Sequence, residues 1–412
     1  MNAKLISPAP SADGEADGPK AGQLVESPRL LFIGSLDAAP TYGGPIQFYR
    51  HFVERNDFEF RKLVEPSQER FVYLKTRFSG LNRIIDRASR TRLFPHFAAL
   101  NEWRGIAKSA PALVREAGQF APDAIVTVAF GCYGFAAVSV AKKLKLPLVT
   151  FFHDWWPDIS LRSRPGIAVF DRLMRRLYRA SDLALCVCDE MKSELGSHPN
   201  AQVLFPICSQ RNGGGENPGK RDRPRVVYLG GMTRGYGRMI SALCHSYAAA
   251  LKPAWELAVF GETKDWSATA VGQASTAGIY RGPRFGREAE AELRSADLFL
   301  VVMDFENETR RRVRTSFPSK LLDYCSYGKP VVIWAPAYSS LVRFAARHPF
   351  AWVYSEKNPE GLVEQINLLA QDQTRLDDLS NRAAQLAGTV FSPETIHRQL
   401  VGHIRQLLSQ KS

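Results

Sequence analysis

This sequence predicts two doubly wound α/β domains, each built on a parallel sheet, and three observations carry that expectation. The 412 residues are enough for two domains of ordinary size, each with its own core. Short apolar runs rich in β-branched and aromatic residues alternate with amphipathic stretches, the rhythm of βαβ units. That rhythm stops at "SQRNGGGENPGKRDRP", residues 209–224, and then restarts.

In chain order, residues 1–27 are rich in Ala, Pro, Gly and Asp and have no basic start followed by an apolar core, so a disordered tail is expected. Strands are predicted at "RLLFIGSL" (29–36), "PDAIVTVAF" (122–130), "LPLVTFFH" (146–153) and "DLALCVC" (182–188), with stretches such as "GFAAVSVAKKLK" as helices between them. After the break, "RVVYLGG" (225–231), "WELAVFG" (255–261), "DLFLVVM" (297–303) and "KPVVIWA" (329–335) resume the pattern. The expected division is a first domain over 28–208, a linker over 209–224, a second domain over 225–395, and a closing helix over 396–412 that packs back on the first domain.

Composition narrows the class. The chain is 45% hydrophobic and 23% charged, with no apolar run near the eighteen residues of a membrane span. Its six cysteines show no C-x-x-C pairing and mostly sit in apolar runs, so a reduced, cytoplasmic protein is expected. A net charge of +13 favours an anionic partner: nucleic acid, lipid headgroups or a phosphorylated small molecule. No groove-reading motif supports nucleic acid.

Glycine-rich turns after strands point to phosphate. Gly43 and Gly44 stand just ahead of a predicted helix, and "GGMTRGYGR" follows the first strand of the second domain. Neither matches the G-x-G-x-x-G fingerprint, and tight turns alone are the other reading. In "TSFPSKLLDYCSYGKPVV" (315–332), Pro318 suits a first helical turn, Thr315 or Ser316 can cap it, and Lys320 and Asp323 follow within two turns. A helix start with a lysine attracts phosphate, and a carboxylate deeper in accepts from sugar hydroxyls, as a nucleotide sugar requires. A capped surface helix with a Lys–Asp pair is the alternative.

"SFPSKLLDYCSYGKPVV" with the preceding "ADLFLVV" resembles the donor domain of the family 4-type glycosyltransferases of GT-B fold. The turn at 43–44, "FFHDWWPD" (151–158) and "ASDLALCVCDEMKSEL" (180–195) are similar to that family's first domain, so the resemblance spans roughly residues 29–400. It implies two Rossmann-like domains facing a cleft. It also implies a nucleotide diphosphate sugar bound by Gly43, Gly44, Gly231, Arg234, Thr315, Ser316, Phe317, Ser319, Lys320 and Asp323, the last on the ribose hydroxyls. Thr315 stands where the family has a glutamate on the donor sugar, and Met232 where it has a cation, which leaves Lys320 or the "RRRVR" run (310–314) to replace that cation. The run reads equally as a solvated loop.

His153, at a strand end, either bonds a sugar hydroxyl or is a satisfied polar group, and its match to the family's cleft histidine points to the first; Asp154 is taken with it as catalytic. Asp154 and Asp158 have no His/Asp cluster around them, so no metal and no cofactor are expected. The stretch 69–104 carries eight Lys/Arg against three Asp/Glu, interleaved with aromatics, and "FDRLMRRLYRASD" (170–182) adds Arg172, Arg175, Arg176 and Arg179. Both suit an anionic membrane or a diphosphate lipid, or are solvated faces. The expected function is transfer of a sugar, with retention by resemblance, to a glycan or lipid-linked acceptor in polysaccharide or glycolipid synthesis at the inner membrane face. A nucleotide-sugar epimerase and a non-catalytic nucleotide-binding scaffold are the alternatives.

Overall fold

The computed structural model describes residues 27–41, 43–65, 94–159, 164–209, 221–232, 234–251 and 253–410. Almost all of the expected tail, most of the basic stretch 69–104 and most of the expected linker 209–224 lie outside the described residues. Six parallel strands form the first sheet: β1 (Arg29–Gly34), β2 (Glu59–Val64), β3 (Ala124–Val128), β4 (Leu148–Phe152), β5 (Leu183–Cys186) and β6 (Ala201–Val203), in the order β2-β1-β3-β4-β5-β6. Five more form the second: β7 (Arg225–Leu229), β8 (Glu256–Phe260), β9 (Leu298–Val302), β10 (Val331–Trp334) and β11 (Ala351–Tyr354), in the order β11-β10-β9-β7-β8. The inner strands AIVTV, LVTFF and LFLVV are buried at every residue, because helices cover both faces of a parallel sheet.

Helices of the first domain are α1 (Gly44–Phe52), α2 (Phe94–Phe120), α3 (Gly131–Leu144), α4 (Trp156–Ile159), α5 (Arg164–Ala180) and α6 (Asp189–Leu195). The second has α7 (Arg234–Ala249), α8 (Ala268–Thr276), α9 (Gly286–Arg294), α10 (Arg310–Thr315), α11 (Ser319–Cys325), α12 (Ser340–Arg347), α13 (Pro359–Ala370) and α14 (Gln373–Gly388). Then comes α15 (Pro393–Ser409), whose start is set by Pro393 and by the Ser392 hydroxyl accepting from Thr395 N–H.

Three strands went unread in the sequence, β2, β6 and β11. All three are edge strands, where one flank is unpaired and burial is partial; EFRKLV and AQV are broken by polar residues, and AWVY is an apolar run of only four residues, none of them fully buried.

The chain crosses between domains twice, and the crossings pack on each other. Phe205 of the outgoing segment and Phe391 of the returning one lie 5.6 Å apart, with Phe317 and Phe344 completing the cluster at 5.1 and 5.4 Å from Phe205. Helix α1 grips the outgoing crossing: Ile207 N–H donates to Gln47 Oε1 and Arg50 donates to the Ile207 carbonyl, each at 2.6 Å.

α15 returns to the first domain. His51 and His397 meet ring on ring with their Nδ1 atoms 3.2 Å apart, and His397 Nε2 lies 2.9 Å from Asp57. Burial, first, and then the neighbouring His397, Arg55, His153 and Arg50 hold the His51 pKa well below 6.5; burial also lowers His397 against the pull of Asp57. The unfolded chain therefore binds more protons than the folded one below pH about 6.5. The stability these groups contribute is whole above that pH and is lost as pH falls. Urea unfolding at pH 7, 6 and 5 should show stability dropping with acid by up to about 1.4 kcal/mol per pH unit for each such histidine. Flat or rising stability across that window rejects this account.

Candidate active site

Open parallel sheets bind ligands beyond the carboxyl ends of their strands, where strand order reverses. In the second sheet that point lies between β7 and β9, neighbours although β8 separates them in sequence. β7 runs into Gly230 and Gly231, and β9 into Met303 and Asp304.

Lys320 reaches this point from α11. Its Nζ lies 3.5 Å from the Tyr228 hydroxyl and 4.5 Å from that ring's centre, and a Cβ on Gly230 would overlap the ammonium where it now stands. No carboxylate reaches it among the described residues. Desolvation pulls its pKa down to about 8, which still leaves a cation at neutral pH.

Asp304 is 1% exposed, accepts from the Thr309 hydroxyl and from Glu306 N–H at 3.0 Å each, and would be overlapped by a Cβ on Gly235, in the first turn of α7. The next residue, Tyr236, brings its phenol among three charges. Burial pushes its pKa up to about 12, Arg312 pulls it the other way, and Asp154 and Asp304 add to the rise. Tyr236 and Asp304 were missed in the sequence, although "RGYGR" and an aspartate two residues past a strand end were signals that bore on both.

Across the gap, His153 stands one residue past β4. Its ring stacks on Phe48 at 5.6 Å and meets the edge of Phe151 at 5.7 Å, contacts that fix its orientation without using its nitrogens. Burial lowers its pKa to about 4 against the pull of Asp154. At neutral pH it is thus a neutral imidazole with one donor and one acceptor. Asp154 is exposed and accepts from the Ser316 hydroxyl at 2.5 Å, so the two domains touch beside His153.

The remaining expected residues divide. Gly43 has φ +75° as the N-cap of α1, with open space where a side chain would stand, and Gly44 opens that helix. Gly231 is exposed, its carbonyl accepting from Tyr228 at 2.9 Å. Arg234 opens α7, and its side chain lies outside the described residues. Ser319 opens α11. Asp323 accepts from Ser209 N–H at 3.2 Å and lies 3.6 Å from Arg50, at the domain crossing and 27% exposed.

The geometry bears on two more site residues and corrects the expected helix cap. Thr315 is fully buried and donates to the Arg311 carbonyl of its own helix at 2.9 Å, so its hydroxyl does not face the gap. Phe317 is 5% exposed within the aromatic joint. The helix after Pro318 starts at Ser319, with Pro318 itself as N-cap and no side-chain cap, because Thr315 belongs to the preceding helix α10 and Ser316 to its end.

The "RRRVR" run is that helix rather than a solvated loop. Arg311 donates to both oxygens of Asp158 at 2.9 and 2.7 Å and to Asp171 at 2.9 Å, with its guanidinium 4.7 Å over Trp155; Arg314 pairs with Glu194, and Arg310 lies 4.2 Å over Tyr338. From the first domain, Arg175 turns inward to Asp171 and Glu194, whereas Arg172, Arg176 and Arg179 of α5 are exposed.

Residues 65–203 match the family model of Glycosyltransferase Family 4. No curated protein matches by sequence. Among solved structures, HepE of Anabaena, crystallised with UDP and glucose, is 14% identical with a TM-score of 0.60 over 92% of this chain and 99% of its own. A glycosyltransferase of Rickettsia africae is 11% identical with a TM-score of 0.61, covering 92% and 98% of the two chains. A UDP-forming α,α-trehalose-phosphate synthase of Burkholderia vietnamiensis is 12% identical with a TM-score of 0.59, covering 92% and 100%. At such identities the likeness establishes the fold, which is GT-B. The family model thus covers part of the first domain, and the architecture of the whole is that of the GT-B fold.

Proposed function

We propose that the protein transfers a glycosyl unit, with retention, from a uridine diphosphate sugar to a glycan or lipid-linked acceptor in polysaccharide or glycolipid synthesis. The observation that carries this is the Lys320 ammonium, held beside Tyr228 at the reversal point of the second sheet with no carboxylate partner among the described residues. The bond from the anomeric carbon to the diphosphate breaks, the bond to the acceptor oxygen forms, and the acceptor's proton leaves with the diphosphate. Lys320 stabilises the departing charge, and His153 hydrogen-bonds the sugar as it gains oxocarbenium character. HepE's complex with UDP favours uridine as the base.

The acceptor side of this reading is a surface of the first domain. Helix α2 exposes Leu100 and Trp103 beside Arg104 and Lys108, and α5 exposes Val169 beside Arg172 and Arg176, a mixture suited to an anionic membrane at the cytoplasmic face. No described helix is long and apolar enough to cross a membrane.

Calorimetric titration with UDP, followed by transfer assays with UDP-sugars and lipid-linked acceptors in anionic and neutral vesicles, tests the proposal. Wild type should bind UDP, Lys320→Met should lose about ten- to hundredfold of that affinity, and turnover should be higher on anionic vesicles. No binding of any nucleoside diphosphate sinks the donor reading, and equal turnover on both vesicles sinks the membrane one. The withdrawal of Thr315 and Met232 from the gap favours a second reading, a nucleotide-binding scaffold, which predicts UDP binding without turnover on every acceptor. Isomerisation of the donor with no acceptor present marks an epimerase instead.

A further inference from the structure

We propose that the groove between α7 and α8 binds a short, uncharged oligosaccharide, outside the candidate active site. The binding stands apart from the transferase reading above; only the identity of the glycan, as acceptor or product, rests on it. Gly237, Ser241, His245 and Ala248 recur at three- and four-residue steps and lie on one face of α7. Helix α8 lines the other wall with Ala270 and Ala274. With residues this small on both walls, the two helices leave a groove of about 640 Å³, a volume ordinary for small-molecule sites. From Gly237 to Ala248 the helix rises about 16 Å, which suits a few sugar units in a row rather than a single one.

The lining selects among ligands. Trp266 stands at the Gly237 end, partly exposed; its Nε1 donates to the Gly237 carbonyl at 2.8 Å, and the Tyr280 ring lies 5.7 Å away. An indole held in this way gives the C–H face of a pyranose ring a flat apolar platform, which a nucleobase or a lipid chain can also use. The polar groups narrow the choice. Ser241, His245 and Gln273 supply hydrogen-bond donors and acceptors along the groove, which a hydrocarbon chain would leave unmet. Among the described residues its lining carries two fixed charges, Arg238 and Asp265, which cancel, and Arg238 already pairs with Glu306 at 3.5 Å. No surplus of either sign is there for a phosphate or a cation. An uncharged polyol with apolar ring faces matches both the indole and the polar groups. Position adds a reason: Gly237 follows Tyr236 of the candidate site, and Glu306 lies two residues past Asp304, so the groove begins beside the gap. A glycan held there keeps one end close to the chemistry, and binding of its remote units lowers the KM of longer acceptors.

The experiment screens the full chain on a printed array of neutral and acidic oligosaccharides and follows the bound ones by calorimetry. Wild type is compared with Ala242→Trp, which fills the groove from an exposed position on α7, and with Trp266→Phe and Trp266→Leu, which keep and remove the aromatic ring. UDP affinity and melting temperature are recorded on the same preparations. Wild type should bind neutral oligosaccharides more tightly than the matching monosaccharides. Ala242→Trp and Trp266→Leu should weaken that binding about tenfold or more, Trp266→Phe should keep part of it, and UDP affinity should stay within about twofold throughout. No neutral oligosaccharide bound, or a preference for acidic ones, overturns the proposal. Binding that Ala242→Trp leaves unchanged overturns it too, because the glycan then sits elsewhere. Groove binding without UDP binding leaves this proposal standing and sinks the donor reading.

Discussion

His153→Ala is expected to lower turnover about a hundredfold or more while leaving UDP affinity nearly unchanged. The imidazole stands just beyond the carboxyl end of β4, clamped by Phe48 and Phe151, and no hydrogen bond within the described residues occupies its nitrogens. With a pKa near 4 it enters the reaction neutral, as a donor to or acceptor from a sugar hydroxyl rather than as a cation. A hydrogen bond that strengthens as the sugar gains positive character acts on kcat, and a hundredfold corresponds to roughly 2.7 kcal/mol of transition-state stabilisation. UDP affinity is spared because Lys320, the proposed diphosphate cation, belongs to the other domain. Initial-rate kinetics with UDP titration on the same preparation make the comparison. A variant that melts earlier yet keeps a normal rate per folded molecule would show His153 to be a core residue.

Arg311→Met should lower stability by about 2–3 kcal/mol and loosen the two domains. The guanidinium donates to Asp158 and Asp171, which are only 12% and 21% exposed, and it covers the fully buried Trp155, whose Nε1 also donates to Asp171 at 2.9 Å. Methionine fills part of the space but leaves two poorly solvated carboxylates without their strongest partner, and removing one member of a buried pair is the expensive way to break it. Partial exposure keeps the effect below the 3–5 kcal/mol or so of a fully buried case. Urea unfolding reads the stability and small-angle scattering reads the domain separation. An unchanged midpoint together with an unchanged radius of gyration would mean that the seam contributes nothing.

How far the site was legible depends on what each residue's role requires of its neighbours. Lys320 and His153 could be singled out because their signals are local: a lysine two residues past a proline at a helix start, and a histidine closing an apolar strand. The directions of Thr315 and Phe317 were not legible, because register within a motif does not say which way a side chain turns. One hydroxyl folds back on Arg311, and one ring joins Phe205 and Phe391 at the domain crossing. The role of Asp323 was read without Arg50 and Ser209, which approach it only after the chain has crossed between domains.

By itself the sequence determined the two-domain α/β class and the positions of the inner strands, because strands buried on both faces must be apolar throughout and so announce themselves. It also determined the glycines beyond the strand ends, since few other residues tolerate such turns or such close approach. The tertiary structure alone decided which charges are spent and which are free. In "RRRVR" the four arginines are chemically identical, yet carboxylates more than a hundred residues away, Asp158, Asp171 and Glu194, take two of them and a tyrosine ring takes a third. That selection is made by pairing across domains, which is set by the packing of whole sheets and carries no local signature in the chain.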